Sequence, residues 1–304
     1  MTQKAKQILE LCELWRETAI GEDDTINIGV DTEKYRLLEN GIQFHDLNFQ
    51  EIQACCIGLT DVLLMKRLNQ INSYDHFYFW SWMGELFLGS EGTYFTREER
   101  DIKNLFSTCI RAALADRSDK KNFVDLNASE LVSNQGLILA QLSFPLLEAI
   151  LKKTCREYVD YDGRVLKDFR ITNRRNVVHY GRQGKSKISS LKDLLFLLYN
   201  IVASPELKKQ LTSIREHIKR VDEQSEPFST IYRWRNSSLH GQNSYTTIGG
   251  TILNIVIIIA LDSLKENYEE LREEVFKGVK FYVQSSRLAS TSIGAPWNYY
   301  PPFL

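Results

Sequence analysis

Proline stops or bends helices, and this chain of 304 residues has only six, three of them in the final nine positions (Pro296, Pro301 and Pro302). Proline lacks a backbone donor and crowds the preceding turn, so it suits the first turn of a helix and disturbs the interior. Pro205 and Pro227 each stand at an expected helix start, with Ser204 and the Ser225-Glu226 pair as capping neighbours. Pro145 falls inside a helical stretch and is expected to kink it.

Between these points the apolar spacing is mostly helical. Residues 3–19 predict an amphipathic helix with Ile8, Leu9, Leu11, Cys12 and Trp15 near one side. Residues 22–47 hold turn signals and strand-like pieces such as Thr25–Val30, and helical patterning returns over 49–71. The aromatic run 74–88 has the spacing of a core helix, with His76 as a partly buried polar residue. Another helix runs from Thr96 to Ala115 and a longer one from Ser133 to Tyr158. Further helices are expected over 190–203, 205–221 and 226–240. A last helix, capped by Thr246 or Thr247, would carry Ile252–Ile259 and continue through Lys265–Glu274.

Residues 162–188 differ in kind. Arg164–Ile171 alternates like a strand, Asn173 offers a turn, and Val177–Tyr180 resembles a second short strand, which predicts a β-hairpin or an ordered loop inserted between helices. Its basic residues Arg164, Lys167, Arg170, Arg174, Arg175, Arg182, Lys185 and Lys187 suit contacts to RNA phosphates. The expected fold class is mainly α: a helical bundle over 126–285, a helical N-terminal domain over 1–125 that binds substrate or a partner, and a surface tail over 286–304. The charged break at 116–127 marks the boundary.

Composition narrows the function classes. Hydrophobic content of 43% and charged content of 25% are those of a folded domain, and a net charge of −1 gives no global pull toward polyanions. Any nucleic-acid site must come from local clustering. Five scattered cysteines without CxxC spacing read as reduced, buried thiols. No leader pattern opens the sequence, and Ile248–Leu261 is too short to span a bilayer, so a cytoplasmic protein with no membrane association is expected. His45 and His217 lack neighbours at ligand spacing, and the acidic trio Glu22-Asp23-Asp24 reads as solvated, so no metal site and no cofactor are expected.

The chemistry concentrates in Trp234-Arg235-Asn236-Ser237-Ser238-Leu239-His240-Gly241. A guanidinium clamps phosphate through a rigid fork, and an imidazole both gives and takes protons near neutrality. Gly241 suggests a helix end there, where the macrodipole favours an imidazolium by about 0.3–1 kcal/mol. Arg235 and His240 lie about 140° apart around an ideal helix, and a helix end between them would let them converge. The spacing recurs in Arg174-Arg175-Asn176-Val177-Val178-His179, which reads as strand rather than helix.

This segment resembles the signature of HEPN-domain proteins: an arginine, a polar neighbour and a histidine four to six residues on. Arg235, Asn236 and His240 match it, and the helices around them, including Glu148 on the long helix, are similar to a HEPN bundle over about 130–283. The resemblance implies a homodimer or higher homo-oligomer whose paired motifs form one composite ribonuclease site, and a role in toxin–antitoxin or antiviral defence with an antitoxin or other partner protein. Arg235 would stabilise the phosphorane, Asn236 would orient the phosphate or the imidazole, and His240 would act as acid or base. Arg174, Arg175, Arg182, Lys185 and Arg233 are the expected RNA-binding residues. A non-catalytic HEPN module that dimerises and binds RNA or protein is the alternative.

Overall fold

A computed structural model describes residues 1–20, 31–64, 74–89, 94–115, 135–173, 176–239, 245–288 and 300. The chain is mainly helical with one small antiparallel hairpin. In order come α1 (Gln3–Ala19), α2 (Phe49–Leu63), α3 (Tyr74–Gly89), α4 (Arg100–Ala115), α5 (Gln135–Thr154), β1 (Phe169–Asn173), β2 (Asn176–Tyr180), α6 (Leu191–Leu197), α7 (Pro205–Val221), α8 (Pro227–Leu239), α9 (Tyr245–Asp262) and α10 (Tyr268–Leu288). A π-helical turn, Leu198–Val202, prolongs α6.

Local chemistry sets several of these boundaries. Thr2 caps α1 by accepting from the Ala5 amide, and Asn48 and Glu51 form a reciprocal capping box on α2. The Ser204 hydroxyl accepts from Leu207 N with Pro205 at the first helical position, as the sequence predicts. At α8 the Glu226 carboxylate accepts from Ser229 N. In α1 the buried residues Ala5, Ile8, Cys12 and Trp15 form a single stripe at helical spacing.

α9 is the centre of the bundle. It packs against α5 on one side and α2 on another, and α7 also touches it. Nearly every residue from Thr247 to Leu261 is buried. Gly249 explains the close approach of α5, because a Cβ there would lie 2.7 Å from Ala140 N. Buried within the core, Asn254 accepts from Trp80 Nε1 at 2.8 Å and donates to Thr60 Oγ1 at 3.0 Å, tying α9 to α3 and α2. The expected boundary at 116–127 lies outside the described residues, yet side chains from both sides of it share one contiguous core. All five cysteines are free and buried. No described helix is long and apolar enough to cross a membrane.

Four expectations change. The Ile-rich helix stops at Asp262, whose carboxylate accepts from Ser204, and the turn 263–267 redirects the chain. Tyr268 can then bury its ring and donate to Leu47 O, which a straight continuation would not allow. Thr246 and Thr247 lie inside α9 rather than before it. The first strand begins only at Phe169, while Arg164 and Val165 make isolated bridges. The helix expected over 190–203 leaves α-geometry at Leu198. Thr25–Val30 and the 116–127 break are outside the described residues, as is most of the tail, although Tyr300 is buried beside His45 and Trp82.

Two histidines, one partly and one fully buried, carry polar weight. His217 on α7 sits 3.2 Å from Asp61, whose carboxylate also receives Arg16 of α1 and Arg220. This cluster fastens α1, α2 and α7; the His217 Nε2 is buried, so the imidazole offers no open atom for chemistry. His76 donates from Nε2 to Leu59 O at 2.9 Å, and burial lowers its pKa from 6.5 to about 4. The unfolded chain therefore binds the extra proton between these values. Stability is complete above pH 6.5 and falls as the pH drops toward 4, by about 3 kcal/mol for this group. Urea titrations at successive pH values should show this loss; replacing His76 with Gln should flatten the dependence.

Candidate functional site

Phe228, Ile231, Arg235 and Ser238 fall on one stripe of α8, at spacings of three, four and three residues. Phe228, Ile231 and Ser238 are buried, and Arg235 lies at the stripe's partly open edge with 30% of its side chain exposed. The stripe faces α5 and α6. The Arg235 guanidinium consequently reaches α5, where Nη2 donates to Glu148 Oε2 at 3.2 Å. The other Glu148 oxygen lies 3.0 Å from Lys152 Nζ, one turn further along α5. One carboxylate is thus held between two cations, and the trio keeps a net positive charge.

That arrangement has chemical use. A single described hydrogen bond employs one nitrogen of a fork that carries five donors. Glu148 holds one guanidinium nitrogen, and Lys152 offsets the negative charge that would otherwise repel a phosphate. Asn236, the next residue, is half-buried. His240 lies outside the described residues. Two clefts of about 400 Å³ open elsewhere, one lined by Leu88, Phe95 and Lys103 and one by Tyr94, Lys153 and Ile201. Neither is lined by Arg235, whose side chain is partly open at the bundle's edge.

Arg233 does not join this group. Two positions on a helix are about 200° apart, and its guanidinium is spent on Asp222, with further donations to Ser225 Oγ at 2.9 Å and Thr230 Oγ1 at 3.2 Å. Burial acts to raise the Asp222 carboxyl, but the hydrogen bonds it receives from Ser225 and Thr230, together with the Arg233 charge, hold it below its usual range. Arg233 thus ties the α7–α8 turn to α8, on another side of the helix from Arg235. Arg233→Ala should lower stability by about 1 kcal/mol in thermal melts and leave any RNA cleavage rate unchanged.

The hairpin has two unlike faces. Phe169, Ile171 and Tyr180 point inward and are buried, whereas Arg170, Thr172, Val177 and His179 point outward. Phe169 and Tyr180 are cross-strand partners and stack at 4.9 Å. Tyr180 donates to Asp193 Oδ2 of α6 at 2.6 Å, and burial with this bond pushes its pKa up. The hairpin is therefore seated on α6, the helix that also supports α8. His179 is exposed on the outer face beside Arg170, on a strand and not on a helix. Arg174 and Arg175 lie outside the described residues. Arg182 and Lys185 are exposed in the loop after β2, where Arg182 N donates to Asp168 Oδ1 and Lys185 N to His179 O.

The Glu148–Lys152 pair and its neighbour Tyr161 were not among the expected site residues. Lys152 Nζ lies 5.9 Å from the Tyr161 ring centroid. The i, i+4 spacing of Glu148 and Lys152 is a readable sequence signal, but the partnership with Arg235 joins residues 87 positions apart. Comparison of the chain with protein-family models, curated proteins and solved structures finds no match.

Proposed function

We propose that this chain is a metal-independent endoribonuclease of HEPN type that uses Arg235, Asn236 and His240 on RNA. One observation carries the reading: Arg235 stands at a partly open edge of the bundle, oriented by Glu148 and accompanied by Lys152. Oriented cations of this kind stabilise the extra charge of a phosphorane. In the reaction the RNA 2′-oxygen forms a bond to its own phosphorus, the bond from phosphorus to the 5′-oxygen breaks, and the products are a 2′,3′-cyclic phosphate and a 5′-hydroxyl. His240 exchanges the proton that leaves the 2′-hydroxyl or the one that reaches the 5′-oxygen. Pairing of two chains would supply the second histidine that such a two-proton reaction uses, in a toxin or antiviral setting in the cytoplasm.

A second reading has its own support. Arg235 already possesses a carboxylate partner, as a purely structural arginine would. A non-catalytic module that dimerises and binds RNA or protein then follows. Incubation of the purified protein with total RNA in EDTA separates the two. Fragments ending in cyclic phosphate support the nuclease; intact RNA at every protein concentration, with retained RNA binding, supports the module. Cleavage abolished by EDTA would point to a metal-dependent nuclease and remove the proposal.

A further inference from the structure

We infer that Tyr161 is a base-stacking residue that selects single-stranded RNA, placed between the basic hairpin and the Arg235–Glu148 pair. The inference deepens the ribonuclease reading and rests on it.

The turn that carries Tyr161 is tightly closed. Gly163 N donates to Asp160 O at 3.0 Å, Asp160 N to Arg164 O at 2.9 Å, and Arg164 N to Asp160 Oδ1 at 2.7 Å. Gly163 has φ +80°, and a Cβ there would lie 2.4 Å from Ile188 O, so only glycine closes the turn in this way. Tyr161 is held at its apex with 68% of its surface exposed. Leu166 and Val177 of the same insertion are also more than half exposed. An ordered turn that presents an aromatic ring to water gains nothing for the fold from doing so.

Its surroundings favour nucleic acid over an apolar partner. Lys152 approaches the ring on the side that leads to Glu148 and Arg235. Arg164 follows the turn directly and bridges to Lys187. Arg164, Lys167, Arg170, Arg182, Lys185 and Lys187 are all exposed and form no ion pair among the described residues. Two nearby acids, Asp160 and Asp168, accept backbone amides from Arg164 and Arg182; Glu157 and Asp162 remain on the surface. Cations follow a phosphate backbone, and an exposed ring between them takes a base face. A base offers that face only when it is unpaired, since the A-form duplex hides it within the stack.

The test uses full-length protein carrying His240→Ala, so that RNA is bound without being cut. A fluorescently labelled single-stranded RNA and a blunt duplex of the same sequence are titrated at fixed salt. Tyr161→Ala should weaken single-strand binding roughly tenfold, and Tyr161→Phe should restore it. The salt slope should stay unchanged in Tyr161→Ala but fall by about one in Lys187→Ala. Duplex should bind more weakly and ignore Tyr161. Unaltered single-strand affinity in Tyr161→Ala, or duplex bound as tightly as single strand, overturns this inference and leaves the ribonuclease reading standing. Absence of all RNA binding in the parent overturns both, and self-association lost in Leu166→Ser would then assign the surface to a protein contact.

Discussion

Alanine at His240 or at Arg235 is expected to slow RNA cleavage in EDTA by about 10²–10⁴-fold. The two losses should not multiply, because the groups act on one transition state and removal of either already disables it. Arg235→Lys should recover only part of the rate, since an ammonium lacks the planar fork that Glu148 orients. His240→Ala should also remove one limb of the pH–rate profile, whereas Arg235→Ala should lower the whole curve without moving it. Single-turnover rates on a defined single-stranded RNA measure all of this. Full activity in Arg235→Ala, with only a few degrees lost in melting temperature, would reduce the Arg235–Glu148 pair to a helix-packing contact and end the assignment of catalysis to this segment.

The second large effect concerns the core. Trp80→Ala should destabilise the protein by about 3–5 kcal/mol, since a fully buried indole leaves a cavity that the surrounding helices fill only in part. It should also leave the Asn254 carbonyl oxygen without its donor. Asn254→Ala frees Trp80 Nε1 in the same way, so the double variant should cost less than the two single losses combined. Urea unfolding gives the answer as a shift in midpoint at constant slope. A loss below about 1 kcal/mol for Trp80→Ala would contradict the packing of α3 against α9.

Much of the fold was readable because it depends on neighbours in sequence. The α1 stripe, the Ser204–Pro205 start of α7 and the alternation that seats Phe169 and Tyr180 inward all follow from residues a few positions apart. The end of α9 was not readable, since no glycine or proline marks it; Asp262 and Tyr268 find partners at Ser204 and Leu47, far away in the chain. Arg233 illustrates the same limit within the site. Its basic character beside Arg235 suggested a shared ligand, but helical rotation sends the two guanidiniums to different neighbours.

By itself, the sequence determined a mainly helical chain with one hairpin, and it marked the Arg235–His240 segment as the place of concentrated acid–base groups. Periodicity, capping and proline placement act over one or two turns, so they are written locally. Tertiary structure alone decided that Glu148 and Lys152 accompany Arg235, that Arg233 does not, and that Tyr161 stands near Lys152. Those relations depend on which helix faces which across the core, and that is fixed by packing around α9 rather than by any short stretch of residues.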